Sequence, residues 1–192
     1  MRFKTWAAVV GLAAALVMPA FSARAQELRI GLMAEPSSVD PHFHLLTPNM
    51  STLGHIYDRL VNVAPNGSLI PGLAESWKTV DDTTWEFKLK AGVTWHDGKP
   101  FTADDVVFSI LRAPNVPNSP ASFASVVKGK TPKKIDDLTL HITTAAPFPL
   151  MAETMTSLMI VSKHAGDGAK TEEYNSGKAA IGTGPYKFAE FV

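Results

Sequence analysis

Across residues 73–112 the apolar positions switch between helical and strand spacing. Leu73-Ala74-Glu75-Ser76-Trp77 predicts a short helix. Trp85, Phe87 and Leu89 then alternate with Thr84, Glu86, Lys88 and Lys90. That period of two predicts a strand with one buried face and one wet face. Gly92 breaks the run, Val93 and Trp95 resume it, and His96-Asp97-Gly98-Lys99-Pro100 predicts a turn. Thr102 stands just before Ala103-Asp104-Asp105, so its hydroxyl can cap a helix whose first-turn carboxylates complement the helix dipole. Val106, Val107, Ile110 and Leu111 supply that helix's apolar stripe, with Phe108 at its edge.

The same reading places the other elements. Leu28, Ile30 and Leu32 share one face of a first strand, which runs into a loop bracketed by Pro36 and Pro41. Leu53, Ile56, Tyr57 and Leu60 fall at helical spacing and lead to a strand, which puts Tyr57 in the core. Asn66-Gly67 marks a turn. Pro114, Pro117 and Pro120 stiffen an exposed loop. Residues 133–144 read as a hairpin turning at Asp136-Asp137, with Ile135, Leu138, Leu140 and Ile142 inward and His141 on the wet face. Met151, Met155 and Leu158 form the core stripe of a helix over 150–158, and Ile160-Val161-Ser162 a short strand. Residues 163–178 are polar and weakly helical, and Tyr186 and Phe188 alternate as in a half-buried strand.

Residues 1–25 carry a different signal: Arg2 and Lys4, an apolar run, then Ala23-Arg24-Ala25. This predicts a cleaved export signal, a mature chain beginning at Gln26, and no membrane insertion once the signal is removed. The 192 residues contain no cysteine, which excludes disulfides, thiolate metal sites and a cysteine nucleophile. The 18 basic and 18 acidic side chains balance, and without Arg2, Lys4 and Arg24 the basic count falls to 15. A mildly acidic chain without clustered Lys and Arg does not read as a nucleic-acid partner.

No catalytic constellation is legible. There is no G-x-S-x-G elbow and no phosphate loop, and Asp104 and Asp105, as helix neighbours, point apart. His42 and His44, two apart, could share a strand face, but no third ligand stands with them. Neither an enzyme, a metal nor a cofactor is expected.

Leu73-Ala74-Glu75-Ser76-Trp77, the run from Trp85 to Ser109, Val39-Asp40-Pro41, and Gly182-Thr183-Gly184-Pro185-Tyr186 together resemble the extracellular solute-binding proteins of family 5. These are the dipeptide, oligopeptide and nickel receptors of ABC importers. The resemblance implies an α/β fold of mixed sheets with packed helices, like a type II periplasmic binding-protein clamshell. Residues 26–45 would hold the first strand and loop of lobe one, 46–180 an inserted small lobe, and 181–192 a strand returning to lobe one. Such proteins are much longer, so the sequence reads as a front portion. Counting from Val39-Asp40-Pro41, the resemblance puts Phe43, His44, Leu45, Leu46 and Thr47 at the ligand cleft. It places Phe123 where an aromatic side chain approaches bound peptide, with phenylalanine where relatives often carry tyrosine. The implied partners are a peptide or related small solute and the permease subunits of an importer in the periplasm. A nickel chelate, sugar or opine is the alternative ligand, and a truncated secreted interaction module the alternative role.

Overall fold

The computed structural model describes Arg29, Gly31 and residues 33–191. The chain divides into two compact units, residues 1–31 and 32–192. The fold below is that of the second. The expected signal sequence and the apolar face of the expected first strand (Leu28, Ile30, Leu32) lie outside the described residues.

Strand β4, Thr84–Leu89, sits inside a four-stranded antiparallel sheet ordered β3-β4-β6-β5. Its partners are β3 (Ala74–Thr79) and β6 (Thr139–Thr143), with β5 (Thr131–Asp136) beyond β6. Phe87 pairs with Trp77 on one side and Leu140 on the other, and Trp85 with Ile142. Because side chains alternate across a sheet, this register gathers Trp77, Phe87, Leu89, Leu140 and Ile142 on one face. Phe87, Leu89, Leu140 and Ile142 are buried there. The opposite face carries Lys78, Glu86, His141 and Lys133 in one cross-strand row, as the alternation predicts. Edge strand β5 bears Pro132, Lys133 and Lys134, residue types that discourage pairing with another chain.

The helix expected over Leu73–Trp77 is instead β3. Ala74 and Glu75 favour helix locally, but Ser76, Trp77, Lys78 and Thr79 find backbone partners along β4. Tertiary pairing wins.

Helix α2, Ala103–Arg112, covers the buried face of the sheet. Thr102 and Asp105 form a capping box, with the Thr102 N–H donating to Asp105 Oδ2 at 2.9 Å. Ala103, Val106 and Ile110 point inward, and burying Val106 or Ile110 contributes about 1.5–3 kcal/mol each. Two positions depart from the expected stripe. Leu111 is 55% exposed, and Asp105 is buried. The true inward face runs 103, 106, 110, with the polar Asp105 and Ser109 turned toward residues 161–163.

The remaining elements are short. Helix α1 (Thr47–Leu53) leads through a tight turn to the hairpin β1 (Val61–Val63) and β2 (Leu69–Pro71), where Gly67 takes the left-handed conformation. A 3-10 turn (Ala113–Asn115) and α3 (Ala124–Val127) follow α2. Helix α4 spans only Met151–Thr154, yet Met151, Met155 and Leu158 are all fully buried. Residues 160–162 form no strand. Met159 bridges Arg59, and the Ile160 N–H donates to the Asp58 carbonyl, a contact too short to extend. Helices α5 (Lys163–Gly166) and α6 (Thr171–Asn175) complete the described part. Tyr57, Tyr174, Val161 and Met159 belong to a second apolar cluster beside the sheet core.

The expected strand at 182–188 is a loop clasped by two segments. The Gly184 and Tyr186 N–H groups donate to the Ile56 and His55 carbonyls, at 2.9 and 3.0 Å. The His96 ring spans the loop, accepting from the Gly182 N–H at 3.3 Å and donating from Nε2 to the Gly184 carbonyl at 2.8 Å. Backbone therefore passes so near backbone that a Cβ at position 182 would overlap the Ile56 carbonyl.

Candidate functional site

The loop over residues 37–47 connects the two expected functional features, the Val39-Asp40-Pro41 motif and the residues after it. Its fixed point is Asp40, which is completely buried. Arg112, the last residue of α2, meets both carboxylate oxygens, Nη1 to Oδ1 at 2.9 Å and Nη2 to Oδ2 at 2.7 Å. The Thr171 hydroxyl donates to Oδ2 at 3.0 Å, and the His42 N–H donates to Oδ1 at 3.0 Å. A buried carboxylate survives only when its lone pairs are met, and here four donors meet them. Burial alone would raise the Asp40 pKa, but the Arg112 hydrogen bonds and charge outweigh it and hold the carboxyl below its ordinary value.

His42 is tied into the same node. Its Nε2–H donates to the Met159 carbonyl at 2.8 Å, and Nδ1 accepts from Arg112 Nη1 at 3.1 Å. Burial, and then the Arg112 charge, pull its pKa down to about 4, so the ring is neutral. With both nitrogens engaged, His42 offers no lone pair to a metal, and its pairing with His44 as ligands is not formed. Arg112 also lies over the Tyr174 ring, 4.4 Å from its centroid. Asn175 Oδ1 accepts from the Ser38 hydroxyl and the Val39 N–H, both at 2.8 Å.

Beyond this node the loop turns outward. Phe43 is half-buried, and its carbonyl accepts from the Ser119 hydroxyl at 2.8 Å. His44 is half-buried, with Nδ1 shielded from solvent and unpartnered. Leu45 packs against the sheet core, while Leu46 (54% exposed) and Thr47 face solvent at the start of α1. These five residues form one continuous strip. Phe123 does not join it. It is fully buried, and its ring packs 5.7 Å from that of His42. In this structure Phe123 presents no face to a ligand and instead supports the loop from beneath.

Phe43 also lines a cleft of ≈ 430 Å³ with Ser37, Pro117, Asn118, Lys170, Thr171, Glu172 and Asn175. Arg112, Thr171 and Asn175, which hold the loop, carried no sequence signal. Each is far from residues 37–47 in the chain, so no local pattern ties it to the loop.

Residues 68–192 match the bacterial extracellular solute-binding proteins, family 5, middle region. The chain belongs to this family. Three relatives place it further. The periplasmic murein peptide-binding protein MppA of Escherichia coli is 28% identical over 88% of this chain and 35% of its own length. A solved unliganded open form of MppA superposes with a TM-score of 0.73, over 84% of this chain and 35% of that one. The periplasmic oligopeptide-binding protein OppA of Haemophilus influenzae is 32% identical over 87% of this chain and 34% of its own length. NikZ of Campylobacter jejuni, solved in complex with Ni(L-His), is 28% identical with a TM-score of 0.71, over 83% of this chain and 32% of that one. The α/β fold is thus that of periplasmic binding proteins, and the chain spans about a third of the length of these relatives.

Proposed function

We propose that the chain is the front part of a periplasmic substrate-binding component of an ABC importer. It takes a peptide or related small solute between two lobes and delivers it to the permease. Residues 26–45 begin lobe one, 46–180 form the inserted lobe and 181–192 return to lobe one. Phe43, His44, Leu45, Leu46 and Thr47 make one wall of the ligand cleft, with Phe123 behind it. Closure of lobes around ligand, as in periplasmic binding proteins generally, is what the permease reads.

The observation that carries this reading is the strip 43–47. It lies in a chain whose residues 68–192 match family 5, is partly open to solvent, and is anchored at its root by the buried Asp40–Arg112 pair. A wall held this way enters binding with little ordering cost, which is what a receptor surface requires. Export is supported by the pattern of residues 1–25 and by relatives named as periplasmic. Among the described residues no helix is long and apolar enough to cross a membrane.

Calorimetric titration of the full natural chain with tripeptides, longer peptides and nickel–histidine tests the reading. Saturable 1:1 binding of a peptide supports it. Binding of nickel–histidine alone moves the ligand to the chelate class, and no binding of any small solute contradicts the receptor role.

A further inference from the structure

We propose that the cleft beside Phe43 is a binding site of its own, taking a zwitterion of amino-acid size with one apolar side chain. All of its lining residues lie within residues 32–192, so it does not depend on the closure of lobes described above and goes beyond that reading.

Its ≈ 430 Å³ falls in the range of about 300–1,000 Å³ typical of small-molecule clefts. Phe43 and Pro117 supply an apolar wall. Lys170 and Glu172 bring opposite charges to the same cleft, and neither side chain forms an ion pair among the described residues. Asn175 uses Oδ1 on Ser38 and Val39, and among the described residues its amide N–H groups and the Asn118 side chain meet no hydrogen-bond partner. Asn118 has φ 58°, and it is the non-glycine residue held in the left-handed region among those described.

The walls are fastened to one another before any ligand arrives. The Ser119 hydroxyl ties the 117–119 loop to the Phe43 carbonyl at 2.8 Å, Thr171 ties α6 to Asp40 at 3.0 Å, and Asn175 holds Ser38 and Val39 at 2.8 Å. A free amino acid matches this arrangement group for group. Its ammonium pairs with Glu172, its carboxylate with Lys170 and the asparagine amides, and its side chain lies against Phe43. A simple anion would meet Glu172, and a simple cation would meet Lys170, so each leaves a repelling charge in place.

The test uses the full natural chain and three probes: L-phenylalanine, N-acetyl-L-phenylalanine and L-phenylalanine amide, read by saturation-transfer NMR. The wild-type protein should prefer the free amino acid over both blocked forms by about threefold, the scale of a partly exposed ion pair. Glu172→Gln should abolish the preference over the N-acetyl form alone, and Lys170→Gln the preference over the amide alone. Both residues are exposed, so neither change threatens folding. Absence of L-phenylalanine binding, equal binding of all three probes, or indifference to both substitutions overturns the proposal and leaves the receptor reading standing. Displacement of L-phenylalanine by a peptide that saturates the receptor would assign it to the interlobe cleft, and would also overturn a separate site.

Discussion

Arg112 and Asp40 lie 72 residues apart in the chain and meet as a two-pronged ion pair, at 2.9 and 2.7 Å. The Asp40 side chain is fully withdrawn from solvent and that of Arg112 is 10% exposed. The contact joins the end of α2 to the loop that carries residues 43–47. Removing one partner strands the other charge. Arg112→Met should therefore cost about 3–5 kcal/mol of stability, read as a lowered urea midpoint. The double variant Arg112→Met, Asp40→Leu should recover part of that loss, because no buried charge then remains. A single variant as stable as wild type would show that the pair does not hold the loop.

The neutral His42 gives the same node a pH dependence. Its pKa in the folded protein is about 4, against an ordinary 6.5. As pH falls, the unfolded chain takes up the proton first, so this stabilisation is complete above about pH 6.5 and is lost progressively toward pH 4. A shift of this size corresponds to on the order of 3 kcal/mol. Asp40 adds a separate contribution, present above its ordinary carboxylate pKa and lost only as pH falls through its still lower folded value. Urea midpoints at pH 7.5, 5.5 and 4.5 should fall for wild type and fall less for His42→Gln. Parallel decline of the two would contradict a buried neutral ring.

Asp105 caps α2 and also reaches beyond it. Oδ2 accepts from the Thr102 N–H at 2.9 Å and the Trp95 indole at 3.3 Å, while Oδ1 accepts from the Lys163 N–H at 2.8 Å. Asp105→Ala removes the cap and leaves buried donors unmet, an expected loss of about 2–4 kcal/mol in urea unfolding. Asp104→Ala should cost under about 1 kcal/mol, because the Asp104 pairs with Lys134 and Lys163 lie at the surface. Equal losses would contradict a buried capping and bridging role for Asp105 that Asp104 does not share.

Gly182 marks the clasp at 182–186. A methyl group there would overlap the Ile56 carbonyl, and at position 184 it would come within 2.7 Å of the His55 carbonyl. Gly182→Ala should lower the thermal midpoint by several degrees, because about 1 kcal/mol moves Tm by 2–8 °C depending on domain size. Gly67→Ala, where nothing lies within 4 Å, isolates the purely conformational cost of a positive φ. If Gly182→Ala proved the milder change, close backbone passage at 182 would be refuted.

The order in which these features were legible has a physical basis. Trp85, Phe87 and Leu89 alternate without ambiguity, and Thr102 with Asp105 spells a helix start, so the strand and helix at the centre of the fold could be read locally. Leu73–Trp77 could not, because its strand identity depends on pairing with β4. Leu111 lies one turn from Val107 and joins the expected stripe, yet the packed face of the helix centres on Val106 and Ile110 and leaves Leu111 outward. The expected strip 43–47 is placed by its distance from Val39-Asp40-Pro41, whereas Arg112, Thr171 and Asn175, which hold its root, come from distant chain. The resemblance points to Phe123 as an aromatic near the ligand, and in this structure its ring packs against His42.

The most direct test of the account joins ligand binding to the strip itself. Leu46 is 54% exposed, and these 192 residues contain no cysteine, so Leu46→Cys introduces a single thiol into this part of the protein. With an environment-sensitive fluorophore attached there, the full natural chain is titrated with a peptide already shown to bind by calorimetry. A saturable emission change with the calorimetric midpoint is the predicted result. Binding by calorimetry with no change at position 46 would place the ligand elsewhere and contradict the assignment of residues 43–47 as a wall of the cleft.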